Sequence, residues 1–99
     1  MLSIEKKKEG NEMTIELVGS LDTVSAPELD EVIKTELEGV ETLNFDFKAL
    51  DYVSSAGLRV LLAAQKTMVK QGEMVVRNVP EKVMDVLDVT GFSEILNIE

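Results

Sequence analysis

The sequence has no cysteine, no histidine and no tryptophan among its 99 residues. Without cysteine there is no disulfide framework, and without Cys or His there is no zinc site of the common kind. Nucleophilic chemistry of the Ser-His-Asp or Cys-His type is excluded within one chain, as is acid–base work by an imidazole. Proline and glycine are sparse, at two and six residues, so nothing suggests a fibrous or low-complexity chain. Apolar runs fall far short of the roughly 20 residues that span a bilayer, and no signal-peptide pattern opens the sequence. These features set the expectation of a soluble, cytoplasmic protein with no direct membrane insertion. Basic residues are also scarce, at 10 against 19 acids, for a formal net charge of −9. Such a field repels phosphate backbones and argues against nucleic acid as a partner.

What remains is a composition suited to one compact unit. Hydrophobic residues make up 44% and charged residues 29%. A chain of this length buries roughly two-thirds of its unfolded surface, enough for one core without staples. The expectation is a single domain over residues 1–99. The charge is unevenly placed. Acid collects over residues 25–41 and 78–99. Residues 54–77 form the only net-positive block, at +3, from Arg59, Lys66, Lys70 and Arg77 against Glu73. Such a block is either a solvated helix face or an electrostatically distinct side turned to a partner.

Hydrophobic periodicity orders the elements. Residues 3–8 read as a short polar edge strand. Residues 12–18 alternate, with Met13, Ile15 and Leu17 on one face and Thr14 and Glu16 on the other. Glu9-Gly10-Asn11 is a turn signal, so the two strands pair as a hairpin. After the loop Gly19–Thr23, Ser25 and Glu28 have the spacing of a capping box around Pro27. Leu29, Val32, Ile33 and Leu37 follow at helical spacing, and Gly39 ends the run. A strand follows over 42–47, continued after a kink by Leu50–Val53. The second helix begins near Ser54, runs to Gln71-Gly72 and points Leu58, Leu61, Leu62 and Val69 inward, with Met68 near the edge. Residues 73–76 form a short strand. A third helix starts at Pro80, with Val83, Leu87 and Thr90 inward and Glu81, Asp85 and Asp88 outward, and ends at Gly91. Ile95–Ile98 is a final strand or tail. The order β-β-α-β-α-β-α-(β) predicts an α/β domain with one small mixed sheet and helices packed mainly on one face.

Four positions invite a chemical reading. Asp22 lies in the loop between a core strand and a helix. Ser54 and Ser55 stand immediately before the second helix, and Gly57 falls in its first turn, where glycine is otherwise a poor choice. The plain reading is a serine N-cap followed by small packing residues, with Asp22 as a turn residue. The sharper reading starts from the unpaired amides of a helix N-terminus, which favour an anion. The small residues around them make a low spot where a hydroxyl is presented to another protein. No Gly-rich phosphate loop is present, so neither a nucleotide cofactor nor a metal is expected.

Asp51-Tyr52-Val53-Ser54-Ser55-Ala56-Gly57-Leu58 resembles the signature of the STAS domain, specifically of the bacterial anti-sigma factor antagonists. Gly19-Ser20-Leu21-Asp22 resembles the G-x-L-D element after their second strand. Gly72-Glu73-Met74 and Val89-Thr90-Gly91-Phe92 match the pattern of the later strand and last helix. The resemblance covers nearly the whole chain, in order. It implies a non-enzymatic module that, unphosphorylated, binds an anti-sigma factor that is also a serine protein kinase, and so frees the sigma factor. It implies resetting by a serine phosphatase of the metal-dependent type. By position it implies Ser55 as the phosphoacceptor, with Ser54 as the alternative. It places Asp22, Thr23, Ser54, Ser55, Ala56 and Gly57 at the partner surface, to which the charge pattern adds Arg59. Many relatives read Asp-Ser-Ser-Gly-Leu here; in this chain Ser54 replaces the acid and Ala56 the second serine. Two other readings compete. One is a STAS subunit of another signalling or membrane-transport assembly. The other is a small enzyme using Asp22 and Ser55, which the lack of His, Cys or a second convergent acid disfavours.

Overall fold

The computed structural model describes residues 2–99. The chain forms β1 (Leu2–Glu9), β2 (Glu12–Leu21), α1 (Ala26–Glu36), β3 (Thr42–Asp46), β4 (Leu50–Val53), α2 (Ser55–Gln71), β5 (Glu73–Arg77) and α3 (Glu81–Thr90), then a 3-10 turn at Phe92–Glu94. β1 and β2 are the expected antiparallel hairpin. β2–β3 and β3–β5 are parallel, which gives a mixed sheet in the order β1-β2-β3-β5. β3 and β4 share one flank of β2 in succession, β3 along Glu12–Glu16 and β4 along Gly19–Leu21. The kink between them is bridged by Gly19 N–H donating to Ala49 O at 3.0 Å.

Alternation in the strands decides where the helices go. Met13, Ile15 and Leu17 of β2, Leu43 and Phe45 of β3, and Met74 and Val76 of β5 point to one face and are buried there. Leu29, Val32 and Ile33 of α1, Leu58, Leu61, Ala64 and Met68 of α2, and Val83 and Leu87 of α3 close over them in one core. The other face carries Glu12, Thr14, Glu16 and Asp46, exposed or half-exposed. The small mixed sheet with helices on one face is therefore as expected. Asn44 departs from the alternation. It lies on the polar face yet is buried, its amide donating to Glu12 Oε2 at 2.8 Å.

Several local expectations are corrected. Ser25 does not close a capping box with Glu28. Its backbone is already helical and its hydroxyl turns back to Ser20 O at 2.8 Å. Val69 points outward and Met68 inward, because the inward line runs 58, 61, 64, 68 and position 69 lies about 100° away from it. Thr90 is exposed at the end of α3, where its hydroxyl donates to Val86 O at 2.7 Å. Of the expected final strand or tail over Ile95–Ile98, one bridge pairs as strand, Val76 with Ile98, because Ile95 keeps helical angles and Ile95 and Leu96 N–H both donate back to Phe92 O.

The far end of α2 is tied to the α1–β3 connection. Gln71 Nε2 donates to Leu37 O and Val40 O, both at 2.6 Å, and Glu73 N–H donates to Glu41 O at 2.9 Å. Gly72 fits because a Cβ there would overlap the Glu41 carbonyl oxygen, which the strand pairing cannot move. Overpacking of this kind costs about 1–3 kcal/mol. Gly72→Ala should therefore lower the thermal midpoint, by about 4–8 °C per kcal/mol in a domain of this size. Thermal denaturation followed by circular dichroism checks it, and an unchanged midpoint would contradict the packing described.

Candidate functional site

Two loops meet at one end of the sheet. β2 leads to the turn Asp22–Ser25 and into α1, and β4 leads through Ser54 into α2. Ser54 N–H donates to Leu21 O at 2.8 Å, which fixes the end of β4 beside the end of β2. The first turn of α2 then lies directly on Leu21. A Cβ at Gly57 would stand 2.7 Å from Leu21 Cγ and 3.0 Å from its carbonyl oxygen. Glycine in a helical first turn is thus explained by close approach.

The two serines differ. Ser54 is half-buried, has extended backbone angles and accepts from Gly57 N–H at 3.2 Å, so it is the N-cap of α2. Ser55 is the first helical residue and is exposed, and among the described residues its hydroxyl has no hydrogen-bond partner. The first turn of α2 has no acidic side chain, so the field of its free amides is uncancelled locally. An anion carried on Ser55 would sit in that field.

Asp22 works inside its own loop. Its Oδ1 accepts from Val24 N–H at 3.0 Å and Ser25 N–H at 2.9 Å. The Ser25 hydroxyl lies 3.0 Å from the same oxygen and 2.8 Å from Ser20 O, so its one proton is shared between two acceptors. Asp22 N–H in turn donates to that hydroxyl at 2.9 Å. Among the described residues the carboxylate makes no hydrogen bond to Ser54 or Ser55. It shapes the turn that carries Thr23 and Val24 to the surface, as Asx turns do.

A cleft of about 310 Å³ runs between the two helix starts. Thr23, Ala26, Pro27 and Asp30 form one wall, and Ala56, Arg59 and Val60 the other. The expected site residues are thus gathered at one end of the molecule. Thr23, Ala56 and Arg59 line the cleft, Ser54 and Gly57 root it, Ser55 stands exposed at the start of α2, and Asp22 holds the opposite loop. Val24, 85% exposed, and Pro27 belong to the same surface and were not anticipated. The signal for Val24 was an apolar residue in a turn with no strand or helix face to serve. Among the described residues no cluster of acids has the spacing to hold a metal, and no helix is long and apolar enough to cross a membrane.

The hydrogen bonds from Ser25 hold the Asp22 carboxyl below the ordinary value of 3.8. A carboxyl lowered by folding contributes stability above its unfolded value and loses it as pH falls through the native one. Asp22→Ala should therefore melt below the parent at neutral pH, and the two should converge as pH drops below 3.8. Paired melts across that range check it; a gap that is independent of pH would reject the role given to the carboxylate.

The STAS domain family matches residues 3–99. The anti-sigma-B factor antagonist of Bacillus subtilis is 29% identical over 98 residues, covering 98% of this chain and 90% of that protein. Among solved structures, an anti-sigma factor antagonist from Mycobacterium paratuberculosis has a similar fold, with a TM-score of 0.88 and 19% identity over 99% of this chain and 85% of that one. The Bacillus cell fate determinant SpoIIAA in its phosphorylated form is also similar, with a TM-score of 0.76 and 18% identity over 98% of this chain and 91% of that one. With the family match running from the first strand to the last residue, and with the hairpin, the parallel strands and the three helices all in place, the chain belongs to the STAS-domain family.

Proposed function

We propose that this protein is an anti-sigma factor antagonist whose binding is switched by phosphorylation of Ser55. The observation that carries the reading is the exposed Ser55 hydroxyl at the start of α2, without a hydrogen-bond partner among the described residues, beside a cleft walled by two helices. The Bacillus subtilis relative, aligned over almost the full chain, is named for that activity. Unphosphorylated, the surface around Thr23, Val24, Ser55 and Arg59 docks on an anti-sigma factor that is also a serine kinase. The sigma factor is thereby released. This reading puts the protein in the bacterial cytoplasm.

Ser55 is favoured over Ser54 because the Ser54 hydroxyl is engaged with Gly57 N–H and half-buried. In the transfer, the Ser55 oxygen forms a bond to the γ-phosphorus of ATP, the bond from that phosphorus to the bridging oxygen breaks, ADP departs, and the hydroxyl proton passes to a base on the kinase. The product carries about −1.5 to −2 charges at neutral pH. The helix field tolerates them where they stand, so the domain need not unfold. Their effect is on the contact: bulk and negative charge are added to a surface whose charged side chains are Asp22, Asp30 and Arg59. A serine phosphatase of the metal-dependent type removes the group and restores binding.

A loss of about 2–4 kcal/mol at the interface weakens binding some 30- to 1000-fold. Ser55→Asp should show a loss in that range toward the kinase partner. Ser55→Ala should bind as the parent does and take up no phosphate on incubation with that partner and ATP. Calorimetry and intact-mass measurement check both. Equal affinities for the two variants, or phosphate mapped to Ser54, would reject the proposal.

A further inference from the structure

The opposite end of α2 carries a second surface. Leu62 and Val69 are seven residues apart and share one flank of the helix, and Ile95 from the segment after the 3-10 turn closes on it. With Gln65, Lys66 and Lys70 they line a groove of about 510 Å³. Val69 is 67% exposed and Ile95 46%, so two large apolar side chains stand in water side by side. Lys66 and Lys70 are exposed, and among the described residues neither has a carboxylate partner. The Gln65 Oε1 atom is shielded from solvent and accepts no hydrogen bond among the described residues. The groove is therefore apolar inside, cationic at its rim and incompletely satisfied.

α3 presents the opposite chemistry. Val89 is 88% exposed and shares a small hollow with Asp85, Val86 and Thr90. Asp85 and Asp88 are exposed, and among the described residues neither has a basic partner. Each helix thus sets an exposed valine beside two like charges about one turn apart, positive on α2 and negative on α3. In a chain of net charge −9, the lysine-rimmed groove lies in the only net-positive block, so the acidic face of another copy is complementary to it.

We propose that two copies of this chain associate by seating the α3 face of one in the α2 groove of the other. Val89 meets Val69 and Ile95, and Asp85 and Asp88 meet Lys66 and Lys70. If the two surfaces flank a two-fold axis, each pairing occurs twice and the assembly closes as a dimer; otherwise it extends head to tail. The patches are small against the roughly 1,600 Å² of a standard interface, so the association is weak and sensitive to salt. Ser55 lies 14 residues from Val69, about 21 Å along the helix, so the groove around Val69 and the serine stand toward opposite ends of α2.

Analytical ultracentrifugation of the full chain tests this over a concentration series at low and high salt. The parent should show reversible, salt-weakened association, and Val69→Asp should abolish it. Lys66→Glu with Lys70→Glu should be monomeric, as should Asp85→Lys with Asp88→Lys, because each sets like charges across the contact. Mixing those two double variants should restore association, since every pairing is then opposite in sign. Ser55→Asp should associate as the parent does, which separates this result from the switch at the other end of α2. A parent that stays monomeric throughout, or a mixture of the double variants that stays monomeric, would overturn the proposal. All these side chains are exposed, and circular dichroism confirms that each variant is folded.

Discussion

The contact between the first turn of α2 and the end of β2 governs the geometry of the site. Ser54 N–H on Leu21 O and the bare Cα of Gly57 against the Leu21 side chain bring helix and strand closer than any other residue at 57 would allow. Because β2 continues from Leu21 straight into the Asp22 turn, that approach puts two loops from distant parts of the sequence on one surface. The cleft between the helix starts follows from it, as does the position of Ser55. Ser55 stands first in α2, at a helix start held by these contacts and left uncovered.

Charge is arranged around this contact with some economy. The acidic excess sits on α1, α3 and the open sheet face, while α2 has no acid in its first turn and carries Arg59, Lys66 and Lys70 along its exposed side. The −9 of the whole chain conceals a helix whose own field is positive at its N-terminus and whose side chains are positive along its length. Added negative charge is tolerated at that start, whereas α3, already acidic, would resist it.

Much of the fold was legible because the strands alternate cleanly. Met13-Ile15-Leu17 and Leu43-Phe45 specify which face is buried, since a slip of one residue would turn the whole set to water. The helices were legible in number and order but less so in rotation. Val69 reads as inward from its helical spacing with Leu58, Leu61 and Leu62, yet Met68 takes the inward position and leaves Val69 in water. Ser25 had the spacing of a capping box, but the Asp22 carboxylate competes for the same hydroxyl and backbone, and the turn it builds is shared with Ser20. Local spacing identifies the candidates for a bond; which bond forms depends on neighbours from elsewhere.

By itself, the sequence determined the class of chemistry open to this protein and the alternation that makes one face of the sheet a core. Both follow from composition and period, which need no partner to be read. It also marked Ser54, Ser55 and Gly57 as a helix start with an unusual glycine. Only the tertiary structure decided why that glycine is required, which serine is engaged as a cap and which stands exposed, and that the Asp22 carboxylate turns back on its own loop. It alone brought Ile95 beside Val69 and left both in water. The glycine is required by packing between Leu21 and Gly57, 36 residues apart, and the exposed pair by packing between Val69 and Ile95, 26 apart. Such distances are set by which surfaces meet across the core, and no local pattern encodes them.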